Sequence, residues 1–332
     1  MKTHPLLSFC ALTLGASATA IAAPQTLTVY TYSSFASDWG PGPAIEKSFE
    51  AQCECELNFV ALDDGVSILN RLRLEGDSTK ADVVLGLDNS LIVEAKKTGL
   101  LAKHAVKTDD IRVPGGWHDD TFIPFDYGYF AFVYNKEKVA NPPTSLKELV
   151  ESRNDLNIIY QDPRTSTPGQ GLLLWMKSVF GEQSSDAWQQ LATKTVTVTK
   201  GWSEAYSMFL KGEADMVLSY TTSPAYHLIA EQDDKFASAD FSEGHYTQIE
   251  VAAKVSTTKQ SDLADQFLQF VLSKEFQSQI PTGNWMYPVT DVELPEGFGS
   301  LSIPAQALSL SPDEVAKGRK AWIREWQGAL IN

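Results

Sequence analysis

LTVYTY (27–32), PAIEKSFEA (43–51), ELNFVAL (56–62), GVSILNRLRL (65–74) and DVVLGL (82–87) follow one another with only short polar connections between them. The first, third and fifth runs are short, apolar and rich in β-branched or aromatic residues, which reads as strand. The second carries proline in its first turn, as helix starts often do. The fourth places Val66, Leu69 and Leu72 on one helical face. Strand, helix, strand, helix, strand is the opening of an α/β fold with a parallel sheet, in which ligands bind outside the carboxyl ends of the strands.

Working outward, FIPFDYGYFAFVY (122–134) is a long aromatic strand, and the chain changes character after it. Ser145-x-x-Glu148 is a capping box. The alternation then resumes: strand at 157–161, helix at 171–180, TVTVT (195–199) as strand, a helix capped by Ser203 and ended by Gly212, and DMVLSY (215–220) as strand. Residues 243–253 are again strand-like, and helical sequence runs from Asp262 through Ile280. A last helix begins at Ser311-Pro312-Asp313-Glu314 and carries Trp322 and Trp326 four apart, as packing residues would be. No low-complexity linker separates the halves. Two lobes joined by crossing strands near Asp126 and Tyr246 are therefore expected: lobe 1 from 23–126 plus about 247–290, lobe 2 from 127–246, with a C-terminal helical segment at 291–332.

The N-terminus has one cation, Lys2, then an apolar run from Leu6 to Leu14 and small residues ending Ala20-Ile21-Ala22. This is the pattern of a cleavable secretion signal, residues 1–22. The apolar run is shorter than the ~18–20 residues a membrane span needs. Cys10 follows the bulky Phe9 with little apolar sequence upstream, which disfavours lipid attachment. Cleavage after Ala22 removes 22 of 332 residues and leaves 310, more than one core usually organises. Lys2 leaves and no acid does, so 27 cations against 42 anions become 26 against 42, a net charge of −16. A chain this acidic repels nucleic-acid backbones and anionic lipid.

Cys53 and Cys55 are the cysteines left after cleavage, and export implies an oxidising compartment. On a straight strand such residues lie ~6.5–7 Å apart, at the outer limit for a disulfide, so a bond between them requires a local turn or bulge. A metal site would need further ligands, and His104, His118, His227 and His245 stand singly. No cofactor is expected.

Catalytic motifs are absent: no G-x-S-x-G, no phosphate-binding G-x-x-x-x-G-K-[ST], no H-E-x-x-H and no C-x-x-C. What stands out is a set of loops after strands and before helices. They are Asp64-Gly65; Arg164 to Gly169 with Ser166 and Thr167; Gly201-Trp202-Ser203; and Tyr220-Thr221-Thr222-Ser223-Pro224. Helix starts carry unpaired N–H groups and bind anions without many cations. Each loop alone could be ordinary capping. Together with Tyr32, Tyr226 and Trp285 they describe a cleft for an anionic tail and a flat ring, including a cationic one. Arg164 could clamp phosphate or pair with Asp162.

At these loops the sequence resembles the periplasmic thiamine-binding proteins of bacterial thiamine ABC importers. The resemblance runs through VYTYSSFASDWGPGPAIEKSFEAQCECEL, ALDDGVSILNRLRLEG, DVVLGLDNS, VPGGWHDDTFIPFDYGYFAFVYNK, IIYQDPRTSTPGQGLLLWM, KTVTVTKGWSEAY, LSYTTSPAYH and IPTGNWMYPV. It implies an α/β fold of the two-lobed type II periplasmic binding protein kind, closing on thiamine, its monophosphate or its diphosphate. It further implies a periplasmic location, delivery to an inner-membrane ABC permease with its ATPase, and a monomer. Ligand contacts implied by the resemblance are Asp64, Gly65, Ser166, Thr167, Trp202 and Tyr220, Thr221, Thr222 and Ser223; Tyr32, Tyr226 and Trp285 lie where the family lines its cleft. Two rivals share the fold. A thiaminase-like enzyme needs an accessible cysteine thiolate. A ferric-binding protein uses adjacent tyrosines, where this chain has Tyr220-Thr221.

Overall fold

The computed structural model describes residues 24–331, so the predicted secretion signal lies outside the described residues. Strand β1 (Thr26–Tyr32) pairs in parallel with β2 (Glu56–Leu62) and β3 (Val83–Asp88). Then come β4 (Ile123–Asn135), β5 (Ile158–Gln161), β6 (Thr195–Thr199), β7 (Met216–Tyr220), β8 (Phe236–Ser238), β9 (His245–Lys254) and the two-residue strands β10 (Tyr287–Pro288) and β11 (Ala307–Leu308). The order across the sheet is β2-β1-β3-β9-β4-β7-β5-β6, with β8 and β10 on β4 and β11 on β9.

β4 joins the two halves. Its first part, Ile123 to Tyr129, pairs antiparallel with β9, and its second, Phe130 to Tyr134, with β7. Thirteen residues long and almost wholly buried, it is covered on both faces, which is why its sequence reads as a continuous aromatic run without alternation. The apolar core divides at the same place. One cluster runs from Leu27 through Phe125 and resumes at Ile249 to Val289. Another gathers Phe130 to Tyr246 with Val315, Trp326 and Ala329 from the C-terminal helix Pro312–Ile331.

That last helix also touches the first half through helix Ile92–Lys96. Trp326 is buried, its Nε1 donating to Tyr160 Oη at 3.0 Å, whereas Trp322 is half-buried. Beside it, Arg319 Nε donates to Gln170 Oε1, Gln170 Nε2 to Ser90 Oγ, and Ser90 Oγ to Asp88. This chain of polar side chains crosses from one half to the other.

Two local readings change, and a condition set by the sequence is met. The helix expected to be capped by Ser203 starts at Trp202 with Gly201 as N-cap. Its first N–H is taken by a carboxylate from across the cleft, described below. The helical stretch expected from Asp262 to Ile280 is interrupted: Ser261–Val271 ends, and Ser273 caps a new turn at Lys274–Gln277 by accepting from Phe276 N. Finally, helix Gly42–Cys53 is closed by Glu54 in the left-handed region, φ 53°. That turn brings the Cα atoms of Cys53 and Cys55 to 5.1 Å, and a disulfide joins them.

Candidate functional site

The four loops singled out above all reach one cleft between the halves. β2 feeds Asp64 into helix Gly65–Glu75, and β5 feeds Ser166 into helix Thr167–Phe180. β6 feeds Gly201 into helix Trp202–Leu210, and β7 ends at Tyr220, with three residues between it and the short helix Pro224–Tyr226. Their juxtaposition follows from the rule that parallel strands present their carboxyl ends to ligand. The cavity has a volume of ≈ 460 Å³.

Asp64 is the polar hub of the cleft. It caps its own helix by accepting from Gly65 N at 2.8 Å, and it accepts from Ser166 Oγ at 2.7 Å, Thr167 Oγ1 at 2.9 Å and Trp202 N at 3.3 Å. One carboxylate from the first half thus draws two loops of the second half against it. Gly65 makes this approach possible: a Cβ there would sit 2.3 Å from Gly86 O and 2.6 Å from Thr167 Cγ2. Gly201 does the same on the other side, where a Cβ would lie 2.8 Å from Asp63 O. Burial raises the Asp64 carboxyl, and its hydrogen bonds from Ser166, Gly65, Thr167 and Trp202 act against that rise.

The rings meet in pairs drawn from both halves. Trp39 approaches Trp202 at 6.4 Å between centroids, and Trp285 meets Tyr226 edge-on at 5.4 Å. Trp202 stacks on Tyr206 at 4.9 Å and donates from Nε1 to Ser219 Oγ at 2.7 Å, which fixes its plane. Behind it, Tyr206 Oη is 2.9 Å from His227 Nε2. Trp285 adopts φ 58° as the C-cap of the turn Ile280–Asn284, its N–H donating to Ile280 O at 3.0 Å, a left-handed conformation uncommon for a bulky residue.

Of the residues predicted from sequence, Tyr32, Asp64, Thr167, Trp202, Tyr220, Ser223, Tyr226 and Trp285 line the cavity. Gly65, Ser166, Thr221 and Thr222 lie just behind that lining. Ser166 supports Asp64, Thr221 N donates to Tyr129 O at 2.9 Å, and Thr222 is fully buried beside Met286. Arg164 pairs with Asp162 through Nε at 2.9 Å and sits over the Trp326 ring. Neither Cys53 nor Cys55 lines the cleft, and each is bonded to the other, so the cysteine-enzyme alternative has no free thiolate among the described residues.

Sequence reading missed Trp39, Tyr206, Asn284 and, above all, two acids. Glu250 of β9 lines the cavity and Asp126 of β4 is its cross-strand partner. Tyr32 Oη donates to Glu250 Oε2 at 2.7 Å; Asn284 Nδ2 donates to Asp126 Oδ2 at 2.6 Å and lies 2.8 Å from Tyr32 Oη. Burial pushes Asp126 up to about 7 and Glu250 well above the usual carboxylate range, and the mutual repulsion of the two acids adds to the rise at Glu250. The signal was available: a lone acid inside a strand of otherwise buried residues is unusual and asks for a purpose.

With this geometry in view, the relatives are informative. The model of the family described as bacterial extracellular solute-binding protein matches residues 36–278. Over 329 residues the chain is 63% identical to the thiamine-binding periplasmic protein of Escherichia coli (strain K12), with 99% of this chain and 98% of that protein covered. The thiamine-binding periplasmic protein of Salmonella typhimurium is 64% identical over the same length, with the same shares covered. A solved structure of a periplasmic thiamin binding protein, 63% identical, superposes with a TM-score of 0.92 over 96% of this chain and 99% of that one. The two-lobed architecture is that of the type II periplasmic binding proteins, and the chain belongs to the bacterial extracellular solute-binding protein family, beside the thiamine-binding periplasmic proteins.

Proposed function

We propose that this chain captures thiamine, thiamine monophosphate or thiamine diphosphate in the periplasm and delivers it to an inner-membrane ABC permease with its ATPase, acting as a monomer and without a cofactor. The observation that carries the reading is the composition of the cleft. Rings from both halves, Trp39 with Trp202 and Tyr226 with Trp285, flank a space of ≈ 460 Å³ whose lining also holds helix starts, hydroxyls and buried acids. Aromatic faces suit the aminopyrimidine and the cationic thiazolium, which they attract by ~0.5–2 kcal/mol. Ser203 and Ser223, hydroxyl-bearing residues beside helix starts in the cavity lining, suit the hydroxyethyl arm or its phosphates. The thiamine-binding periplasmic proteins of Escherichia coli and Salmonella typhimurium match along 99% of the chain.

Capture then requires opening. We assign residues 23–126 with about 247–290 to one lobe and 127–246 to the other, hinged on β4 and β9; the division of the core at Tyr129/Phe130 supports this. The segment 291–332 goes with the second lobe by its packing and clasps the first through helix Ile92–Lys96. Mass spectrometry of ligand released from freshly purified protein tests the reading: thiamine or a phosphate ester is expected, and a ligand of another chemical class would replace it.

A further inference from the structure

Carboxylates buried in the middle of a sheet are costly unless donors or cations compensate them. Asp126 and Glu250 face each other across the two strands that join the halves, with fractional exposures of 0% and 5%. Compensation is sparse. Tyr32 Oη donates to Glu250 and the single amide of Asn284 to both acids, and Asp126 Oδ1, fully buried, has no partner beyond the neighbouring Glu250 carboxyl. Among the described residues no cation forms an ion pair with either acid; Lys211 lines the cleft but pairs with neither. The titratable groups that face the pair are themselves acids: Tyr32 from β1, Tyr220 from β7, Asp64 at the start of helix Gly65–Glu75 and, beyond Tyr220, Asp88 at the end of β3. Two carboxyls so placed hold one proton between them instead of ionising together. Their position is also specific. Asn284, which bridges them, immediately precedes the left-handed Trp285, and Glu250 opens directly on the cavity.

We propose that the Asp126–Glu250 pair is the counter-charge for a cationic heteroaromatic ring in the cleft, and that it releases its shared proton to solvent when such a ring enters. This rests on the reading of the ligand as thiamine and assigns the cation-recognising groups of that same site. The step balances simply: a carboxyl O–H breaks, the proton passes to buffer, and the second negative charge left behind faces the ring's positive one. Near pH 7 the thiazolium charge is fixed, its C2–H does not ionise and the aminopyrimidine is neutral, so a proton released on binding comes from the protein.

The test is calorimetric titration of the whole protein with unphosphorylated thiamine, at about pH 7, in two buffers of different ionisation enthalpy. Release of up to about one proton per thiamine is expected, with affinity rising by up to about tenfold per pH unit on the acid side of the pair's titration. An analogue with a neutral thiophene in place of the thiazolium keeps the aminopyrimidine and should bind without releasing a proton. Glu250→Gln should abolish the release, flatten the pH dependence and weaken thiamine about tenfold or more; Asp126→Asn provides the same test from the other strand. Thiamine binding by the unmodified protein with no proton exchange, or with uptake, overturns the inference alone. Absence of thiamine binding overturns the functional reading and this inference together.

Discussion

Two groups of buried carboxylates face one cleft and are treated in opposite ways. Asp64 receives four hydrogen bonds, two from hydroxyls and two from backbone N–H groups at helix starts. Asp126 and Glu250 receive two donor groups between them and leave one oxygen with no partner but the other acid. Asp64 therefore has its charge balanced by the protein itself and acts as a clasp between the lobes. The acid pair is left for something else to satisfy. A buried charge is informative in proportion to what it lacks, because a fully bonded one is explained by the fold and an under-bonded one asks for a further partner.

The largest expected effect sits at the under-bonded end. Trp285→Ala removes a cleft ring held next to Asn284, and thiamine affinity should fall by ~2–4 kcal/mol, the range of an aromatic hot spot. Titration followed by intrinsic fluorescence measures it; an unchanged affinity would move Trp285 out of the binding surface. At the fully bonded end, Asp64→Ala strands the Ser166 and Thr167 hydroxyls and Trp202 N. Stability in urea should drop by ~1.5–3 kcal/mol, the scale of charge-assisted hydrogen bonds, and small-angle scattering should show a more open ligand-free protein. A stable, closed variant would show that the clasp is not Asp64.

The acid pair gives a pH dependence of definite sign. Burial raises both carboxyls in the folded protein, so the folded state binds protons more readily than the unfolded one. Its contribution is a destabilisation that is present above about 7 and removed as pH falls through that value toward the ordinary carboxyl range. His227 and His245 act oppositely, since burial lowers both. The pair is isolated by subtracting the stability profile of the double variant Asp126→Asn, Glu250→Gln from that of the unmodified protein. The difference should change by up to about 1.4 kcal/mol per pH unit near neutrality. A flat difference profile would mean that the pair is not under-compensated. Smallest is the disulfide. Reducing Cys53–Cys55 opens a three-residue loop, worth at most about 1.6 kcal/mol of stability, and thiamine affinity should not move.

Much of this was legible in the residues. The βαβαβ opening, the crossing strand through Asp126 and the four strand-to-helix loops follow from periodicity and helix-start chemistry. The under-read parts depend on what comes together from afar. Tyr206 counts because Trp202 stacks on it and His227 bonds it. The expected Ser203 cap gave way to Gly201 because Asp64, remote in sequence, takes the Trp202 N–H. Glu250 and Asp126 are 124 residues apart and become neighbours only through antiparallel register, although each was conspicuous alone as an acid in a buried strand.

The central claim is tested most directly by titrating ligand-free protein with thiamine and its two phosphate esters in a calorimeter. Saturable one-to-one binding of at least one of the three, abolished or strongly weakened by Trp285→Ala, is the predicted result. No heat and no fluorescence change with any of them would contradict it.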